Sequence, residues 1–191
     1  MSIASFIVIA LALGLCNMLL FRRCTEAAPV RLSVGLAIAL TVAAIHVAFF
    51  WVGILLGSLL RLQSPSSPDL YADANAYIFL GLTLAVVLKL LVPYLRREPR
   101  LPLFDLSHTL SVLSLAAATG MDVLLLGIGA GFVAPDANAH LVVWPLLVSA
   151  TLLGYLGVMY GRQKVQLRPR RWMVVACVLL LGVAIAAVVN A

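Results

Sequence analysis

The side chains of this 191-residue chain that can do chemistry are few, and they lie where polar groups are costly. Asp122 is the one acid deep inside an apolar run, preceded by Thr119 and Gly120 and followed by Gly127, Gly129 and Gly131. An ionisable group in hydrocarbon costs roughly 2.5–3.5 kcal/mol on insertion scales, so it needs a use: an ion or proton site, or a protonated carboxyl bonded to a neighbouring helix. His46, in Ala43-Ala44-Ile45-His46-Val47, lies at a similar depth and can ligate metal, relay a proton or hydrogen-bond between helices. Cys16 and Asn17, side by side, offer a soft thiolate and an amide carbonyl, and either also packs or bonds within a bundle. Lys89 lies six residues before Leu95. That is ~9 Å of helical rise, and the reading favoured is an ammonium that snorkels to the interface. Asp105, Ser107 and His108 stand where they can cap a following helix. His140 is assigned no role.

The elements that position these residues follow from composition: 64% hydrophobic, 10% charged, mean hydropathy +1.13. A soluble globule needs about 25% charged residues, so the solvent here is lipid. Six apolar segments run over 3–21, 32–60, 74–95, 106–133, 141–160 and 172–189. Each approaches or exceeds the ~20 residues that span hydrocarbon as a helix, which satisfies its own backbone. The predicted fold is all-α, a single membrane domain of six transmembrane helices. The first segment has no positive n-region and is expected to remain as a helix. The three cysteines share no close spacing and read as free thiols.

Net charge is +6, yet of the 13 Lys and Arg all but Arg61 and Lys89 sit in the first, third and fifth connectors. That pattern is membrane topology and excludes a nucleic-acid surface. By the positive-inside rule these connectors are cytoplasmic and both termini outside. The stretch 63–69 reads as a solvated turn. Three helices per half place residues 1–100 and 101–191 in opposite orientations, which predicts two inverted three-helix repeats. Gly14-Leu15-Cys16 parallels Gly120-Met121-Asp122. Gly53/Gly57, Gly127/Gly131 and Gly157/Gly161 are small-xxx-small pairs that let helix backbones approach. No dinucleotide glycine spacing, HExxH, CxxC, GxSxG or paired carboxylates occur, so neither an enzyme nor a nucleotide site is expected, and no cofactor.

Four segments carry a resemblance to the small bacterial manganese efflux pumps (MntP-like). The stretch from Ala116 through Gly120-Met121-Asp122 to Gly131-Phe132 is similar to that family's fourth helix, with an Asp between a small-residue run and spaced glycines. Ala44-Ile45-His46 through Gly53 to Gly57 resembles the second helix, with His46 where the family has Glu. Val87-Leu88-Lys89 through Pro93 to Arg96 resembles the end of the third, with Lys89 at a position usually Arg and Pro93 where an acid is common. Gly14-Leu15-Cys16-Asn17-Met18 lies where the family has an Asp, and either Cys16 or Asn17 takes its place.

The resemblance implies a secondary-type exporter in a bacterial cytoplasmic membrane. Its transported ion is divalent, manganese ahead of zinc or copper, toward which the softer Cys and His ligands would shift the site. It assigns Asp122, His46 and Cys16 as metal ligands, with Asn17, Lys89 and Thr119 along the ion pathway. Ions bind Asp122 with His46 and a helix-one ligand and leave as the halves rock, and Asp122 or His46 carries a coupled proton. Cys16 is placed near the cytoplasmic end of helix one and Asp122 well inside helix four, so their meeting is expected to need a broken helix. Two other classes stay open: a non-transporting membrane protein that binds a partner through its basic loops and glycine seams, and an exporter of a small organic solute.

Overall fold

A computed structural model describes residues 2–61, 68–95, 104–134, 139–165 and 167–190. Among them are six helices and no strand: α1 (Ile3–Ala27), α2 (Leu32–Leu60), α3 (Pro68–Leu95), α4 (Thr109–Val133), α5 (Ala139–Arg162) and α6 (Pro169–Val189). All six are long and apolar enough to cross a membrane. Large apolar side chains such as Leu59, Leu110, Trp144 and Val178 stand exposed on the outside. That is the outward face expected where the surrounding solvent is hydrocarbon.

Apolarity located every helix, and the corrections are at the ends. α1 continues through Arg22 and Arg23 to Ala27, so these two arginines belong to the helix and not to a connector. Arg22 is buried, with its guanidinium 3.4 Å from the Glu26 carboxylate one turn on. Cys16 therefore sits at mid-helix. α4 begins only at Thr109, and no side chain caps it. Asp105 instead accepts the Ser107 N–H at 2.9 Å and the Ser107 hydroxyl at 2.7 Å, closing a turn ahead of the helix. α3 already begins at Pro68; positions 63–67 of the polar stretch, and Arg96, Arg97 and Arg100, lie outside the described residues.

The principal helix pairings are α1 with α5, α5 with α2, α2 with α4, α4 with α3, α3 with α6, and α6 with α1. They close a ring. Exchanging α1, α2, α3 with α4, α5, α6 maps this set of pairings onto itself while reversing the sense around the ring. A two-fold axis lying in the membrane plane does the same.

The glycines fix the register of two seams. A methyl on Gly53 or Gly57 of α2 would overlap the backbone of α4 at Leu124 and Ile128. A methyl on Gly157 or Gly161 of α5 would overlap the backbone of α1 at Met18 and Arg22. Without a hydrophobic drive between helices in lipid, such close approach is what holds them. Cys16 stands two residues before Met18, as Asp122 stands two before Leu124. The matched contacts thus give Cys16, not Asn17, the place on α1 that Asp122 has on α4.

Candidate functional site

Inside the ring lies a cavity of about 220 Å³, and it collects the polar residues singled out above. Cys16 and Asn17 reach it from α1, His46 from α2, Lys89 from α3, and Thr119 and Asp122 from α4. Leu20, Pro93, Phe104 and Leu115 place it toward the helix ends that carry the arginine clusters. No broken helix is needed, because α1 runs on to Ala27 and α4 starts at Thr109, which brings Cys16 and Asp122 to one depth.

Asp122, 7% exposed, is ion-paired to Lys89, whose Nζ lies 2.5 Å from Oδ1. The snorkelling expected of Lys89 is therefore corrected: its ammonium turns to the carboxylate, while 57% of its side chain stays exposed. Two hydrogen-bonded opposite charges lose less on leaving water than either alone, and this is how a carboxylate is kept here.

A second chain of bonds runs beside this pair. Thr119 spends its hydroxyl proton on the Leu115 carbonyl at 2.8 Å, so toward His46 Nε2, also at 2.8 Å, it accepts. With Nε2 donating, a neutral His46 ring has its acceptor at Nδ1. Asn17 Nδ2, 3.1 Å away, donates to it. His46 is 1% exposed and fully committed to these two partners.

Where α1 meets α6 the Cys16 thiol donates to Met173 Sδ, with the sulfurs 3.9 Å apart. Cys177 lies one turn beyond Met173 and is buried on the same face of α6. Cys16, Cys24 and Cys177 are all free. Met173 and Cys177 escaped the sequence reading because a Met one turn before a Cys is indistinguishable from core packing until a thiol on another helix faces them.

No group of three or more His, Cys, Asp and Glu is arranged to hold a metal among the described residues. The trio Asp122, His46 and Cys16 shares a cavity, but Lys89 engages Asp122, Asn17 and Thr119 engage His46, and Met173 engages Cys16. A cation meeting them has to exchange places with these partners.

A second, more polar cavity of about 610 Å³ lies at the other helix ends, lined by Ser2, Ser5, Arg61, Asn75 and Asn190 among others. On four of the helices a residue between the two cavities is tightly buried: Ile9 on α1, Phe79 on α3, Leu126 on α4 and Leu180 on α6. Phe79 lies on Gly129, where a methyl would strike its ring.

No curated protein and no solved structure matches this chain. A protein-family model does match, over residues 29–188, which takes in α2 to α5 and nearly all of α6 and leaves α1 outside. The six membrane-length helices, the buried carboxylate on α4 and a match over most of the sequence agree, and the chain belongs to the family described as "Mntp: Putative manganese efflux pump".

Proposed function

We propose that this protein is a secondary-type exporter of a divalent metal cation, manganese first, that takes the ion from the arginine-bearing face into the Asp122 cavity and releases it at the other face. The observation that carries this reading is the Lys89–Asp122 pair on the cavity wall. Lys89 acts as a tethered cation. It holds the carboxylate charged while no substrate is present, and its exposed stem lets the ammonium withdraw when a metal arrives. Exchanging one cation for another avoids the cost of a bare carboxylate at any stage. Thr119 and Asn17 supply neutral oxygen atoms, which suit a hard ion, and His46 joins only if Asn17 or Thr119 lets go.

The self-mapping ring of pairings supports reading the two halves as an inverted repeat, and rocking of one against the other opens the Ile9, Phe79, Leu126 and Leu180 layer. The cation distribution supports a bacterial cytoplasmic membrane with the arginine-bearing connectors inside and both termini outside. A second reading, export of a small organic cation, is favoured by the apolar walls that Leu13, Leu20, Leu90 and Val123 give the cavity.

The test is cell-associated Mn, Zn, Fe, Co, Ni and Cu in efflux-deficient cells expressing wild type or Asp122→Asn at matched membrane levels. Wild type lowers manganese and the variant does not. Unchanged metal in both, with resistance to an organic cation that depends on Asp122, replaces the metal reading by the second one.

A further inference from the structure

We propose a second metal site on this protein, formed by the sulfurs of Cys16, Met173 and Cys177 where α1 meets α6, that takes a soft monovalent cation of the copper(I) class. The placement is built from two helices. Cys16 on α1 faces Met173 on α6, and Cys177 follows one helical turn later on the same buried face of α6. Cys16 and Met173 both line the cavity, so an ion has a way in.

The spacing suits ligation. Metal–sulfur bonds of about 2.3 Å put two ligating sulfurs about 3.8 Å apart in a tetrahedral site and about 4.0 Å apart in a trigonal one. Cys16 Sγ and Met173 Sδ stand 3.9 Å apart already. Thiolate and thioether ligands select soft ions such as copper(I) over manganese, whose preferred donors are oxygens. When the Cys16 and Cys177 thiols give their protons to water in the cavity, both thiolate sulfurs take the ion, and Met173 ligates through its thioether without losing a proton. No oxidation change is involved, because the ion enters and stays as copper(I).

This site adds to the reading of the cavity as a metal pathway and does not depend on it, because it is read by binding to the purified protein and not by export. The full chain, reduced and in detergent micelles, is titrated with copper(I) against a chromophoric copper(I) chelator. One copper(I) binds per chain, and X-ray absorption shows sulfur neighbours at about 2.3 Å. Cys16→Ala and Cys177→Ala each weaken binding tenfold or more, and affinity rises about a hundredfold per pH unit for the two protons released. Met173→Leu, which conserves volume and therefore folding, also weakens it. Cys24→Ala, which removes the thiol outside the cluster, leaves it unchanged. The proposal is overturned by no stoichiometric binding, by binding that survives in the Cys16→Ala/Cys177→Ala double variant or in Met173→Leu at full strength, or by equal loss in Cys24→Ala. Failure of Asp122→Asn to alter manganese content would strike the transport reading and leave this one standing.

Discussion

The two walls of the central cavity are built by corresponding helix pairs, α3 with α4 and α6 with α1, yet they carry opposite chemistry. On one wall Lys89 and Asp122 form a charge pair; on the other Cys16 and Met173 form a sulfur pair. Cys16 holds on α1 the register position that Asp122 holds on α4. One scaffold thus presents a carboxylate on one wall and sulfur on the other, and the carboxylate stands where a lysine reaches it. A bare acid at the Cys16 position would have lacked that partner.

The largest expected effect comes from breaking the charged wall. Asp122→Asn and Lys89→Met each lower manganese export tenfold or more, read as cellular metal content at matched expression. The same variants separate pairing from transport. Either single change leaves a charge without its partner and lowers Tm in detergent more than the Asp122→Asn/Lys89→Met double variant does. A double variant less stable than both singles would show that the pair holds no charge balance. Cys16→Asp sharpens the comparison by placing an acid on the soft wall. Manganese affinity rises severalfold, and copper(I) binding is lost.

Next in size are the seams that hold the walls in place. Gly57→Ala on the α2–α4 seam and Gly161→Ala on the α1–α5 seam push a methyl into a facing backbone carbonyl, at a cost of about 1–3 kcal/mol each. Gly182 on α6 has open space around it. Gly182→Ala is therefore neutral or stabilising by up to about 1 kcal/mol through helix propensity. Thermal unfolding in detergent ranks the three, and equal losses at Gly57 and Gly161 are the signature of matched seams. His46→Leu removes the partner of both Asn17 and Thr119 and costs about 1–3 kcal/mol by the same measurement.

The smallest effect is at the turn before α4. The Ser107 N–H and hydroxyl, with His108 beside them, hold the exposed Asp105 carboxyl below the usual carboxylate range. A depressed folded-state pKa contributes stability above the unfolded value of about 3.9, and that stability is lost as pH falls through the folded value. A small Tm deficit of Asp105→Asn at neutral pH therefore disappears in strong acid. A deficit that persists there would assign the turn to the backbone alone.

Some of this was legible in the residues and some was not, for a reason visible in Lys89. Its distance from the helix end permits snorkelling, and only the packing of α3 on α4 shows a carboxylate within reach. Met173 tells the same story, since nothing local distinguishes it from core until Cys16 arrives from the other end of the chain. Arg22 misled in the other direction. A charge usually ends an apolar run, but here the helix continues because Glu26 one turn on accepts its guanidinium.

By itself the sequence determined six membrane-length helices, the clustering of arginines at alternate connections, the glycine seams and the short set of polar residues worth watching. Each is a local property: lipid requires every backbone group to be satisfied within its own helix, and apolarity along the chain reports that directly. The tertiary structure decided which polar residues meet. Asn17 with His46, His46 with Thr119, Lys89 with Asp122 and Cys16 with Met173 join residues on different helices. Such partnerships depend on the order of helices around the ring and on the register of glycine contacts, and neither is encoded in the hydropathy of any single segment.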